Sequence, residues 1–233
     1  MANNWKDSGQ KLVYGIINPF INLLIKIGIT PNMITFLGLI LNVLASVVLI
    51  YGAENGDRMD HSYIGWAGLI ILLGGLMDMV DGRLARVGNM SSDYGALFDS
   101  VLDRYSEMLM FLGICYYLVS YDYFLSSIFA FIAMIGSVMV SYTRARAEGL
   151  GVSASVGIMQ RPERVLLIVI AALTCGIFSS IKGGAYKIEM HGLPFPLFET
   201  ITIFTLPIFV LALMANITAI RRLMHAKKII LKS

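Results

Sequence analysis

The sequence predicts an all-α integral membrane fold, with six transmembrane helices preceded by an amphipathic helix in the interface. Three observations predict it. Of 233 residues, 57% are hydrophobic and only 14% are charged, whereas soluble domains carry about 25% charged and about 45–50% apolar residues. Six segments approach the roughly 20 apolar residues that a spanning helix needs. Lys and Arg are divided unevenly between the connections, as in proteins with a fixed membrane orientation.

The elements follow in order. Trp5, Leu12, Ile16, Phe20, Leu23, Leu24 and Ile27 recur at helical spacing and are flanked by Lys6, Lys11 and Lys26. That pattern is expected of a helix lying in the membrane surface. The N-terminal stretch has no apolar core segment or small-residue cleavage site, so no cleavable signal peptide is expected. The expected spans are Met33–Tyr51, Tyr63–Arg86, Gly95–Ser120, Tyr123–Glu148, Pro162–Ser180 and Leu197–Met224. The division is then an interfacial segment over 1–30, a six-helix bundle over 31–225 and a basic tail over 226–233, all in one domain. No repeat or low-complexity linker interrupts it.

With six spans, Lys6, Lys11, Lys26, Arg83, Arg86, the Arg144–Arg164 connection, Arg221, Arg222, Lys227, Lys228 and Lys232 fall on one side. Only Arg58, Lys182 and Lys187 fall on the other. Positive residues favour the cytoplasm, so both termini are expected there. The segments 52–62 and 181–196 are expected outside, with Glu54–His61 a solvated loop. Cys115 and Cys175 lie in apolar runs without metal or disulfide spacing and are expected to be packing residues. A net charge of +3 is too small to imply a nucleic-acid partner.

Against this apolar background, the second and third spans hold Asp78, Asp81, Arg83, Arg86, Asp93, Asp99, Asp103, Arg104 and Glu107. Ionisable groups in a span are costly, face the bundle interior or a wet cavity, and are functional by default. Asp78 and Asp81 are three residues apart and Asp99 and Asp103 four, so each pair shares a helix face. Two helices joined by a short turn bring all four to the cytoplasmic end. Carboxylates so close repel one another, and a hard divalent cation relieves the repulsion. Mg²⁺ or Mn²⁺ suits oxygen ligands and leaves coordination positions for phosphate. With no His or Cys nearby, zinc is not expected. Gly74, Gly75, Gly82 and Gly95 stand where helices approach closely or where a nucleotide meets bare backbone.

Asp78-x-x-Asp81-Gly82-x-x-Ala85-Arg86, followed after eight residues by Gly95-x-x-x-Asp99-x-x-x-Asp103, resembles the complete signature of the CDP-alcohol phosphotransferases (CDP-alcohol phosphatidyltransferases). The preceding Thr30-Pro31-Asn32-Met33-Ile34-Thr35 is similar to the segment opening the family's first span. The resemblance, over roughly residues 10–225, implies displacement of CMP from a CDP-linked donor, usually CDP-diacylglycerol, by an alcohol. It implies that Asp78, Asp81 and Asp99 are metal ligands. Asp103 is then a further ligand and the general base. Asn32, Thr35, Gly82, Arg86 and Ser92 match positions that hold the CDP part. A homodimer in the cell inner membrane is also implied.

The signature does not name the alcohol. Arg144, Arg146, Arg161 and Arg164 lie in one cytoplasmic connection, with Pro162 at the start of the next helix. Paired guanidinium hydrogen bonds suit a phosphorylated acceptor, although the same arginines also satisfy positive-inside topology. Ser141–Glu148, Arg161–Arg164 and Leu97–Arg104 resemble the branch using inositol phosphate, which comprises phosphatidylinositol-phosphate synthases and their archaeal ether-lipid counterparts. By position in that branch, Arg144 and Arg164 match the residues expected to hold the acceptor phosphate, and Arg161 joins them through its place in the basic pocket. Gln160 replaces an acid that relatives often carry. Phosphatidylglycerophosphate synthesis is the nearest competitor, and a divalent-cation transporter is the alternative from another class.

Overall fold

The computed structural model describes residues 18–184, 186–189, 196 and 198–231. Six long helices dominate: α1 (Pro31–Asn55), α2 (Ser62–Val87), α3 (Asp93–Ser120), α4 (Phe124–Glu148), α5 (Arg161–Lys182) and α6 (Thr202–Ile230). A helical segment over 18–26 precedes them. Residues 1–17 of the expected interfacial helix, and Lys232 of the tail, lie outside the described residues. Arg83 Nε donates to Asn18 Oδ1 at 3.1 Å and ties the N-terminal segment to α2.

Local chemistry sets the helix ends. Pro31 opens α1 after an extended Thr30, where a missing N–H costs nothing. Ser92 caps α3 by accepting from the Gly95 amide at 3.0 Å. Gly183 closes α5 in the left-handed conformation, φ 73°, which glycine adopts without a Cβ penalty. The expected basic tail differs in form. α6 continues through Lys227 and Lys228 to Ile230, because cations in a last turn complement the helix dipole.

The principal contacts close a ring in the order α1, α2, α5, α6, α4, α3 and back to α1. Its core holds Phe111, Ile114, Tyr117, Leu118, Ile168, Phe204 and Leu211, all at most 1% exposed. The outer faces remain apolar, with Leu73, Leu166 and Leu213 each at least 41% exposed. That inversion is what a lipid solvent permits. Helices α1, α2, α4, α5 and α6 are long and apolar enough to cross a membrane. α3 has 28 residues, but it carries Asp99, Asp103, Arg104 and Glu107 within its first four turns.

Membrane helices associate by close packing, and one seam shows why small residues are needed. A Cβ on Gly65 would stand 3.0 Å from Gly176 Cα, and one on Gly176 would stand 2.5 Å from Gly65 Cα. The α2–α5 contact therefore excludes any larger residue at either position. This seam carries the N-terminus of α5 to the aspartates of α2.

The end of the bundle away from the aspartates corrects one expectation. Glu54–His61 is not solvated throughout: Glu54 and Asn55 complete α1, and His61 is fully buried. The His61 amide donates to Ser179 Oγ at 3.1 Å, and its ring lies 3.3 Å from the Tyr117 hydroxyl. Burial holds its imidazole below the usual histidine range, against the opposing charges of Glu199 and Asp60. On the same end, β1 (Lys187–Ile188) pairs antiparallel with β2 (Phe198–Glu199).

Candidate active site

The second half of α2, the first half of α3 and the N-termini of α1 and α5 meet at one end of the ring. Asp78 and Asp81 come from α2 and Asp99 and Asp103 from α3, as their spacing requires. The four share one electrostatic neighbourhood. Asp99 acts on each of the other three, and Asp78 acts on both Asp81 and Asp103.

Their individual contacts differ. Thr35 Oγ1 of α1 donates to Asp81 Oδ2 at 2.7 Å, and Asp81 is only 6% exposed. Arg161 at the start of α5 bridges two carboxylates: Nη1 donates to Asp78 Oδ2, and Nη2 lies 2.9 Å from Asp103 Oδ1. Arg104 Nη1 donates to the Ser100 carbonyl at 2.6 Å and lies 3.5 Å from Asp103 Oδ2.

Among the described residues, no three acidic side chains converge as a closed ligand set. The donor chemistry nevertheless fits a divalent cation. All four groups are hard oxygen donors. A guanidinium already serves as the cation between Asp78 and Asp103, and four carboxylates outnumber the two arginines touching them.

A cleft of about 170 Å³ opens beside the carboxylates. Its walls include Pro31, Asn32, Thr35, Asp81, Gly82, Ala85, Ser91, Ser92, Gly95 and Asp99. Four of the five expected CDP-binding residues (Asn32, Thr35, Gly82 and Ser92) therefore line one cleft with two of the aspartates. The fifth, Arg86, folds back so that Nε donates to the Gly82 carbonyl at 2.9 Å. A Cβ on Gly95 would meet Ser92 Oγ at 3.1 Å and Asn32 Oδ1 at 3.5 Å, so glycine keeps the cleft floor open.

The expected acceptor arginines separate into different environments. Arg161 belongs to the carboxylates. Arg144 pairs with Glu148 one helical turn away, Nε to Oε1 at 2.8 Å. Arg164 is 1% exposed. Its Nε and Nη2 reach Glu107 Oε1 at 2.9 and 2.8 Å, and Nη1 donates to the Met159 carbonyl at 3.0 Å. As placed, Arg164 is paired with Glu107 and closed off from solvent.

Two participants escaped the sequence argument. Glu107 is the partner of Arg164, and its position four residues beyond Asp103 continues the Asp99–Asp103 face. Arg222 of α6 is 3% exposed and lies within electrostatic range of both Arg144 and Arg164. It donates to the Val140 and Val156 carbonyls at 2.8 Å. Its sequence signal is an arginine in the last third of an apolar span, which positive-inside topology also accounts for.

Residues 28–226 match the family profile described as CDP-alcohol phosphatidyltransferase. An uncharacterised protein of Aquifex aeolicus is 40% identical over 167 residues, covering 70% of this chain and 80% of its own length. The archaetidylinositol phosphate synthase of Pyrococcus horikoshii is 35% identical over 72% of this chain and 79% of its own. The phosphatidylinositol phosphate synthase of Mycobacteroides abscessus is 30% identical over 70% of each chain.

Among solved structures, the Mycobacterium tuberculosis phosphatidylinositol phosphate synthase with CDP-DAG bound shares the fold. It superposes with a TM-score of 0.72 at 23% identity, over 91% of this chain and 93% of that one. The same enzyme in complex with manganese and citrate gives 0.71 at 23% identity, over 89% and 87%. The profile spans the aspartate signature and all of the six-helix ring but the last turn of α6, and on that ground the chain belongs to the CDP-alcohol phosphatidyltransferase family.

Proposed function

We propose that the enzyme transfers the phosphatidyl group of CDP-diacylglycerol to a hydroxyl of inositol phosphate, giving phosphatidylinositol phosphate and CMP. The observation that carries this reading is one juxtaposition. The cleft of Asn32, Thr35, Gly82 and Ser92 opens onto Asp81 and Asp99, while Arg161 draws Asp78 and Asp103 together. An archaetidylinositol phosphate synthase at 35% identity over 72% of the chain and a phosphatidylinositol phosphate synthase at 30% over 70% support inositol phosphate as the acceptor.

The chemistry divides among the residues. Asn32, Thr35, Gly82 and Ser92 seat the nucleotide, and Arg86 swings from the Gly82 carbonyl to the diphosphate. Asp78, Asp81 and Asp99, with Asp103, hold Mg²⁺ or Mn²⁺. Bound there, the cation offsets the charge that builds on the phosphoryl oxygens and on departing CMP. The acceptor oxygen attacks the lipid-bearing phosphorus, the bond to CMP breaks, and Asp103 takes the hydroxyl proton. Arg144, Arg161 and Arg164 supply the positive field for the acceptor's phosphate.

The reading places the site at the cytoplasmic face of the inner membrane, where lipid tails stay in the bilayer and nucleotide stays in water. It treats residues 1–233 as one membrane domain and the assembly as a homodimer, which crosslinking in native membranes would test. The functional test is CMP release by purified protein given CDP-diacylglycerol and Mg²⁺ or Mn²⁺. Inositol phosphate should drive release, while inositol, serine and glycerol 3-phosphate should not. Equal release without an acceptor, or release driven by glycerol 3-phosphate alone, refutes the assignment.

A further inference from the structure

Arg161 stands where a cation is needed. Its Nη1 donates to Asp78 Oδ2, and its Nη2 lies 2.9 Å from Asp103 Oδ1. The same guanidinium has a second counter-charge within reach. Arg161 and Glu107 line one small cavity with Asp78 and Ser106. Arg161 Nε and Glu107 Oε2 are both buried there, with no hydrogen-bond partner among the described residues. Arg164 occupies only the other oxygen, Glu107 Oε1.

A guanidinium and a divalent cation repel each other and compete for the same carboxylate oxygens. We propose that Arg161 and the divalent cation are alternative partners of Asp78 and Asp103, so that metal loading releases the guanidinium edge and makes it available to the acceptor's phosphate. This rests on the transferase reading above and adds to it an order of events, metal before acceptor. Glu107 Oε2 keeps the released side chain at the site, because it offers Nε a buried charge that Arg164 leaves unused. Metal and acceptor then help each other reciprocally, as linkage requires.

The test uses the full-length protein in detergent micelles with Mn²⁺ alone, followed by electron paramagnetic resonance. Arg161→Gln removes the competitor and should bind Mn²⁺ about tenfold more tightly than the unaltered chain, the scale of one charge-assisted hydrogen bond. Arg161→Lys keeps the charge but not the two-pronged bridge and should fall between them. Equal or weaker binding by Arg161→Gln overturns the proposal, since it would make Arg161 a support for the carboxylates.

If Arg161→Gln fails to fold, Arg161→Lys decides by the same sign. Independently, phenylglyoxal modification of Arg161, read by peptide mass spectrometry, should rise on adding Mn²⁺, and an unchanged rate counts against release. Inositol phosphate should tighten Mn²⁺ binding in the unaltered chain and have no such effect in Arg161→Gln; coupling of equal size in both overturns the proposed order. The titration with Mn²⁺ alone and the phenylglyoxal measurement contain neither donor nor acceptor. An error in the acceptor's identity leaves both unchanged and appears in the CMP-release screen and in the inositol phosphate coupling, so it is separable from failure here.

Discussion

Replacing Arg164 by alanine removes both charged hydrogen bonds to Glu107 Oε1, at 2.9 and 2.8 Å, and the bond to the Met159 carbonyl. The side chains of Arg164 and Glu107 are 1% and 2% exposed, so water cannot compensate. A buried ion pair broken on one side costs about 3–5 kcal/mol, because the remaining charge is left unpaired. That is a large share of a typical total stability of about 5–15 kcal/mol. Removing both charges together is different. Arg164→Met with Glu107→Leu leaves no unpaired charge, only the Met159 carbonyl without its donor, and should restore stability to within about 1–3 kcal/mol of the starting protein. Unfolding in mixed micelles, followed by circular dichroism as the denaturing detergent fraction rises, measures each variant. A single-variant loss below about 1 kcal/mol, within the range of an exposed pair, would refute the burial argument.

Three further outcomes follow from the same geometry. Asp103→Asn should lower the rate of CMP release by about 10²–10⁴-fold, the usual worth of a general base, while CDP-lipid binding measured by equilibrium titration stays within a few-fold. Gly65→Val should destabilise the α2–α5 seam, because a Cβ there would lie 3.0 Å from Gly176 Cα; an unchanged unfolding midpoint would show that the seam yields. Chelation of divalent cations should stop CMP release, and Mg²⁺ or Mn²⁺ should restore it. Activity that persists in excess chelator contradicts the metal role given to the four aspartates.

Much of the donor side was legible in the chain because it is local. Residues 78–103 form one helical hairpin, so the i+3 and i+4 spacings alone fix which faces the aspartates share. The first turns of α1 were legible for the same reason, since Pro31 and Thr35 sit at a helix start. The proposed acceptor side is assembled from distant segments. Arg161 meets Asp78 across 83 positions and Arg164 meets Glu107 across 57. Which helix α5 packs against is decided by the Gly65–Gly176 approach, and hydropathy does not encode that choice. Arg161 and Arg164, three residues apart, therefore read as a single basic pocket. One turn of helix in fact sends the first to Asp78 and Asp103 and the second to a deeper carboxylate. Arg222 was hidden by its surroundings, because a basic residue near the end of a span satisfies topology whether or not it is buried.

The fate of the acceptor's own phosphate tests the central claim most directly. Purified enzyme is incubated with CDP-diacylglycerol, a divalent cation and inositol phosphate carrying a labelled phosphate, and lipid and aqueous products are separated. The account predicts that label enters the lipid phase intact, with one CMP released for each labelled lipid formed. CMP released while all the label stays in water would contradict it.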